Sequence, residues 1–422
     1  MPNNRVIVNG LVYRKDCRIL FDSHSNTVFK LDEIATEIVD GMAGGSTADE
    51  VAKSMADKYG VDQQVIRQDI KDFWESIFEI DSRSDTFEQE KDLQNLPEFP
   101  FNLELALTKA CDLQCSFCHD SVLPSNSSHT HMPVESVKLL LRLYADAGLL
   151  RIRYSGGEPT LHPNFEEILA YGKQLGFYQV VFTNGQHLTE EALTRWKEMN
   201  VGEILISLHG SEVTHDTLTR KPGSYQKAIR AIVFTLSVGI SVVVEMTLVQ
   251  QNQREVFSTI NAMKALGVKQ FRLMRYVSRG TDDDIFSVNP SELPSLIDRL
   301  EQRYGGDDIS IRFPCSQKFC LTDQCDLHAT GSDSDVRKKY LIQNCFAGLN
   351  WGSISHSGAL RLCPHSSKSL ANVFDDPGAL IRLWPTVIRS QVLRVLEQRS
   401  DKCNGCGAWG HCLGGCYLFS LE

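Results

Sequence analysis

Hydrophobic and polar positions alternate in short runs at the start of the chain and settle into a longer rhythm further on. Residues 5–10 and 11–14 read as short strands, and residues 18–21 and 27–31 flank a polar turn at 22–26 as a hairpin. Three helical patterns follow. Asp32 precedes Ile34, Ala35, Ile38 and Val39; Ser46-Thr47 precedes Val51, Met55 and Tyr59; and Val65, Ile66, Ile70, Phe73 and Ile77 recur at helical spacing. A few strands followed by three small helices predict a winged-helix-like domain over residues 1–90. The charged stretch 82–92 and the Pro-bearing segment 96–100 predict a linker. Over 91–305 strands alternate with helices. Strands are predicted at 103–107, 150–154, 179–182, 203–207, 241–248 and 270–274, and helices near 133–147, 164–175, 188–199, 224–238, 253–266 and 291–304. Six β–α units predict an α/β fold, a partial version of the eightfold barrel. A third part, 306–422, holds nine of the cysteines.

Composition narrows the partners. A chain of 422 residues predicts two or three domains, and 42% hydrophobic content is globular. The net charge of −10 argues against nucleic acid or an anionic membrane as the main partner. In the first domain acidic residues outnumber basic ones, against a DNA-binding use of the winged-helix plan. No stretch of 18 or more apolar residues predicts a membrane span, and the polar start Met1-Pro2-Asn3-Asn4-Arg5 lacks a secretion signal. Thirteen cysteines in this context point to metal rather than disulfides, and to a reducing, low-oxygen cytoplasm. Cys17, alone in the first domain, reads as a buried hydrophobe.

The densest chemistry is Cys111-x3-Cys115-x2-Cys118. This spacing lets one loop wrap three thiolates around a corner of an iron–sulfur cube and leave one iron open. A zinc knuckle is the other reading of the spacing alone. Phe117 is placed to stack on a flat ring held beside the metal. About 40 residues on stands Tyr154-Ser155-Gly156-Gly157-Glu158-Pro159, after a predicted strand, where two glycines permit close backbone approach.

The triplet with its aromatic residue, followed by Gly156-Gly157-Glu158-Pro159, resembles the signature of the radical S-adenosylmethionine (SAM) enzymes. The resemblance implies one [4Fe-4S] cluster on Cys111, Cys115 and Cys118, which reduces the sulfonium of SAM to give methionine and a 5′-deoxyadenosyl radical. It implies that Phe117, Gly156, Gly157, Glu158, Pro159, Asn184, Ser207, Arg220 and Met274 surround the cofactor. Glu158 would accept from its α-amino group, Ser207 would bond its ribose, Arg220, on a loop, would pair with its carboxylate, and Met274 would lie near its adenine. His187, His209 and His215 also sit near the predicted barrel mouth.

Residues 1–90 resemble the PqqD-like peptide chaperone, or RiPP recognition element, which binds the leader of a precursor peptide as an added strand. Residues 306–422 resemble the SPASM extension. Cys345-x12-Gly358-x4-Cys363 precedes Cys403-x2-Cys406-x5-Cys412-x3-Cys416, which implies two auxiliary [4Fe-4S] clusters, with zinc the physical alternative. The family's pattern carries one more cysteine after the last pair. The sequence ends at Glu422, so one of Cys315, Cys320 and Cys325 is expected to complete a cluster. The combined resemblance implies a cytoplasmic maturase that crosslinks a precursor peptide, with flavodoxin or ferredoxin as electron donor. A maturase of the sulfatase type, oxidising a Cys or Ser of a protein, and a non-catalytic iron–sulfur carrier are the other readings.

Overall fold

The structure is a computed structural model that describes residues 5–8, 11–15, 18–22, 27–79, 99–119, 130–276, 285–289, 292–313, 347–349 and 351–397. Cys17, Cys315, Cys320, Cys325, Cys345, Cys403, Cys406, Cys412 and Cys416 lie outside the described residues, as does the expected linker at 82–92. The chain forms two compact units, one built on residues 1–86 and the other on most of the remaining chain. Among the described residues no helix is long and apolar enough to cross a membrane.

The first unit is a four-stranded antiparallel meander, β1 (Arg5–Val8), β2 (Leu11–Arg14), β3 (Ile19–Asp22) and β4 (Thr27–Lys30), in that spatial order. Three helices follow, Glu33–Ala43, Ala48–Tyr59 and Gln63–Glu79. Local chemistry sets their ends. Asp32 caps the first by accepting from the Ala35 N–H. Thr47 and Glu50 form a capping box on the second, which ends at Gly60 in the left-handed conformation. Leu20, Tyr13, Val39, Met55, Ile70 and Trp74 meet in one buried core.

The second unit is built on a ten-stranded sheet. Its parallel strands are β5 (Asn102–Thr108), β6 (Arg151–Gly156), β7 (Tyr178–Thr183), β8 (Val201–Ser207), β9 (Ser241–Leu248), β10 (Gln270–Arg275) and β11 (Ser310–Arg312). Beyond β5 come β12 (Trp351–Ile354), parallel to it, and the antiparallel β13 (Ala359–Arg361) and β14 (Ala371–Asn372). The order is β11-β10-β9-β8-β7-β6-β5-β12-β13-β14, so among the described residues the sheet does not close on itself. The helices Val134–Ala147, Phe165–Gln174, Glu190–Glu198, Ser224–Ser237, Val256–Ala265 and Leu293–Tyr304 fall close to the predicted ones. The sequence reading missed the helix Glu212–Thr219, β11 and the β12–β14 extension.

The sheet curls. Arg272 on β10 lies over the Phe182 ring on β7, 5.6 Å from its centroid. Three strand spacings on a flat sheet would separate them by about 14 Å. Glu104 on β5 also feels the charges of Glu245 on β9 and Arg272 on β10. The concave face therefore encloses Glu104, Arg151, Arg153, Glu203, Glu245 and Arg272, which share the alternation set by the strand register. On the other face Tyr154, Phe165 and Trp196 pack edge to face, and Tyr154 bonds Gln179 at 2.9 Å.

Arg151 and Glu203 pair at 2.7 Å with only 7% and 6% of their side chains exposed. Removing one partner strands the other charge in the interior. Glu203→Ala is expected to cost about 3–5 kcal/mol of stability, and a thermal melt reads the loss.

Candidate functional site

The cysteine loop leaves β5 at the end of the strand where barrel-type folds gather reactive groups. Its backbone is tied on two sides. The Gly157 N–H donates to the Thr108 carbonyl at 2.8 Å and the Glu158 N–H to the Ala110 carbonyl at 2.7 Å. The Gln114 and Ser116 N–H groups donate to the Thr219 and Leu218 carbonyls at 3.1 and 2.8 Å, which docks the loop on the end of the helix Glu212–Thr219. The Cys118 N–H closes a turn onto the Cys115 carbonyl at 3.1 Å.

The two glycines permit a close approach of backbone from within the chain. A Cβ on Gly156 would lie 2.2 Å from the Thr108 carbonyl oxygen, and one on Gly157 would lie 2.3 Å from the Ala110 carbonyl oxygen. What they admit is the chain's own cysteine loop. Gly156 also sits at φ +136°, which other residues rarely adopt.

Glu158 is fully buried. Its carboxylate accepts from the Thr160 N–H (3.2 Å), Thr160 Oγ1 (2.7 Å), Thr183 Oγ1 (2.8 Å) and the Asn184 N–H (2.7 Å). Burial raises its pKa, opposed by those donors. The side chain thus joins the β6 and β7 ends, and an α-amino group would come as an additional donor. Pro159 opens the short 3-10 turn that Glu158 caps.

Asp112 collects the next layer. Its carboxylate takes Lys221 Nζ at 2.6 Å, Asn184 Nδ2 at 2.9 Å and His187 Nε2 at 3.2 Å. Their hydrogen bonds hold its carboxyl below the usual range despite burial, and the same contact raises His187. Asn184 also points Nδ2 at Cys111 Sγ, 3.8 Å away. Asp112 and Lys221 were not among the expected site residues, and His187 was placed only near the barrel mouth. Their separation in sequence hides them, and only the position of Asp112 beside Cys111 was a signal.

Phe117 is buried against Leu218 and Val249, with Cys115, Tyr276 and Phe286 around them. The His209 ring meets it edge-on at 4.7 Å, and His215 stacks on His209 at 5.5 Å. Backbone N–H groups of Thr247 and His209 donate to Nδ1 of His209 and of His215. Burial keeps both rings neutral, with His215 pushed down to about 4. These histidines support Phe117.

Three expected contacts lie at the rim without a described bond to the cysteine loop. Ser207 ends β8, half-buried, beside Glu245. Met274 lies near the end of β10, with its sulfur 3.6 Å from the Arg272 guanidinium. Arg220 does not follow on a loop as expected. It caps the helix Glu212–Thr219 in the left-handed conformation, φ +55°, with its side chain exposed. That conformation is strained for a residue with a Cβ and clusters at functional positions. Cys363 is buried and accepts from the His365 N–H at 3.4 Å, and the His365 ring lies 4.5 Å from that of His119, next to Cys118.

Among the described residues no three His, Cys, Asp or Glu side chains converge on one point as a single-ion site would. The fit to a cluster rests on donor chemistry. Burial, with the Glu158 and Asp112 carboxylates nearby, pushes the Cys111 thiol up to about 12, and Cys115 is raised further. Thiolates there need cations beside them, which the irons of a cluster would supply as protons leave.

Known proteins agree with this geometry. Residues 105–263 match the radical SAM superfamily, and residues 17–78 match coenzyme PQQ synthesis protein D. The antilisterial bacteriocin subtilosin biosynthesis protein AlbA of Bacillus subtilis is 28% identical over 346 residues, 77% of this chain and 69% of that protein. An AdoMet-dependent heme synthase of Methanosarcina barkeri is 22% identical over 312 residues, 73% of this chain and 88% of that protein. Streptococcus suis SuiB, solved bound to its precursor peptide SuiA, shares the fold with TM-score 0.65 at 17% identity, covering 99% of this chain and 96% of that one. The cysteine loop on β5, the glycine pair that lets it close and the PQQ-type unit ahead of them fall within these matches: residues 105–263 form a domain of the radical SAM type, and residues 17–78 one of the PqqD type.

Proposed function

We propose that this enzyme is a peptide maturase, which removes a hydrogen atom from a ribosomally made precursor and installs a thioether or carbon–carbon crosslink. The observation that carries this reading is the presence of a PqqD-family domain and a radical SAM domain on one chain. SuiB, which was crystallised with its precursor peptide, matches the fold over nearly the whole length, and AlbA belongs to the biosynthesis of a bacteriocin.

A domain of the radical SAM type implies SAM and one [4Fe-4S] cluster. Cys111, Cys115 and Cys118 would hold that cluster, which when bound with SAM supplies the radical that takes hydrogen from the substrate. The chain's own residues do the rest. Asp112, gripped by Lys221, His187 and Asn184, fixes the first turn of the loop. Glu158 locks the ends of β6 and β7 under it. Phe117, braced by His209, forms an apolar wall beside the loop with Leu218 and Val249. Ser207, Arg220 and Met274 would receive the ribose, carboxylate and adenine of the cofactor. Cys345, Cys363, Cys403, Cys406, Cys412 and Cys416, with help from among Cys315, Cys320 and Cys325, would bind two auxiliary clusters that accept the substrate's surplus electron. The first unit would hold the leader, so that a weakly recognised core residue still reacts at high local concentration. A flavodoxin or ferredoxin would supply electrons, and the reducing cytoplasm would keep the clusters intact.

Anaerobic co-expression with small neighbouring open reading frames, followed by mass spectrometry, tests the reading. The expected product is a peptide that has lost two hydrogens within its core segment. Peptides that bind the chain yet leave with neither a changed mass nor a changed stereocentre would contradict it.

A further inference from the structure

Among the described residues, the concave face of the barrel sheet leaves the Arg153 guanidinium without an ion-pair partner. Arg151 is paired with Glu203 at 2.7 Å, and Arg272 with Glu245 at 3.4 Å. Glu104 accepts from Ser155 Oγ at 2.8 Å. Arg153 stands beside Glu104 in the β5–β6 register but makes no ion pair with it. Among the described residues the Arg153 guanidinium has no hydrogen bond, and its buried Nε is without a partner. It rests instead over the Trp351 ring, 5.4 Å from the centroid. Stacking on an aromatic face holds a guanidinium plane still while leaving its N–H edge open.

Arg153 is half-buried: its Nε is shut away from water without a partner, which forfeits hydration, and no hydrogen bond among the described residues engages the rest of its fork. Electrostatics sharpen the point. Burial and the neighbouring Arg151 and Arg272 charges push Arg153 down to about 9, against the pull of Glu104 and Glu203. Both carboxylates already accept from other donors, and neither bonds Arg153 among the described residues. The missing partner is an anion shaped to a planar fork, and a carboxylate meets a guanidinium with two parallel hydrogen bonds.

We propose that Arg153, braced on Trp351, is a receptor inside the barrel for a carboxylate of the substrate, either an acidic side chain or the free C-terminal carboxylate of the peptide. The proposal rests on the peptide reading for the identity of the ligand, and on the geometry of Arg153 for the site. It makes Arg153 a specificity-determining residue, one that sets which part of a peptide enters the lumen beneath the cysteine loop.

The test is calorimetric titration of the full chain, anaerobic, cluster-loaded and saturated with SAM. The probes are N-acetylglutamate N-methylamide, its neutral glutamine counterpart, N-acetylalanine and glutarate. At least one carboxylate probe is expected to bind and the glutamine probe to be refused. The choice between the glutamate and alanine probes distinguishes a side-chain from a terminal carboxylate. Arg153→Gln is expected to weaken the bound probe roughly 10- to 100-fold, the size of lost charge-assisted hydrogen bonds, and Arg153→Lys to weaken it less. Arg153→Gln should melt no lower than the parent, since a half-buried cation with no hydrogen bond or ion pair among the described residues contributes little stability. Equal binding of acid and amide probes, wild-type affinity in Arg153→Gln, or no carboxylate bound at all would overturn the proposal. Binding of glutarate through Arg153 with both peptide-like probes refused would keep the anion site and remove the peptide reading.

Discussion

With Cys111, Cys115 and Cys118 replaced together by alanine, 5′-deoxyadenosine production from SAM falls below detection, and the protein loses about four irons per chain. The expectation follows from how this loop is built. The backbone bonds from Gly157, Glu158, Gln114 and Ser116 hold the loop without using a sulfur, so the loop keeps its place when the thiols are gone. Cys111 and Cys115 are half-buried where a bare thiolate is disfavoured, which favours metal ligation as their use, and Cys118 is exposed beside them. Iron and sulfide analysis, together with quantified 5′-deoxyadenosine, reads both losses at once. An alanine variant that keeps full turnover would remove the cluster loop from the chemistry. If the iron lost is much less than one cubane, the triplet holds something smaller.

The second large effect is at Glu158. Glu158→Ala deletes the acceptor for the Asn184 N–H, the Thr183 hydroxyl and both donors of Thr160, in a site closed to water. A buried donor left unmet costs about 1–3 kcal/mol, so the expected loss is on the order of 3–5 kcal/mol. The damage is local as well as global. Asn184 is the residue that reaches Asp112 and Cys111, so freeing its backbone loosens the first cysteine. Iron content is therefore expected to fall along with the melting temperature. Glu158→Gln is expected to be milder but still impaired, because its amide NH2 faces donors rather than acceptors. A variant that melts like the parent and binds a full complement of iron would show that the four bonds do not hold the site.

Sequence and structure part company in instructive places. Strands β5 to β10 are short segments apolar at every second position or more, with helices between them, so their pattern is visible along the chain. The helix Glu212–Thr219 was missed because its sequence, Glu-Val-Thr-His-Asp-Thr-Leu-Thr, is mostly polar and carries poor helix formers. Its stability comes from contacts: Asp216 takes the Gly223 and Tyr225 N–H groups, and Leu218 is buried against Phe117. β11 has three residues and β14 two, too short for any alternation to register. The cysteine triplet was legible because its ligands are adjacent in sequence. Asp112 with Lys221 was not, because a pair 109 residues apart leaves no local pattern. The glycines were read as permitting a close backbone approach, and the backbone that comes close is the chain's own cysteine loop. Arg153 was invisible for the opposite reason: a lone arginine in a strand is ordinary until its neighbours are seen to be spoken for.

The account stands on the loop of Cys111, Cys115 and Cys118 working as an electron outlet to SAM. The most direct measurement is electron paramagnetic resonance of the anaerobic, dithionite-reduced full chain, recorded with and without SAM on the protein whose other cysteines are intact. The account predicts a reduced cluster signal that shifts when SAM is added, disappears in the triple alanine variant, and is accompanied by methionine and 5′-deoxyadenosine in equal amounts. A signal indifferent to SAM, with neither product formed, would contradict it.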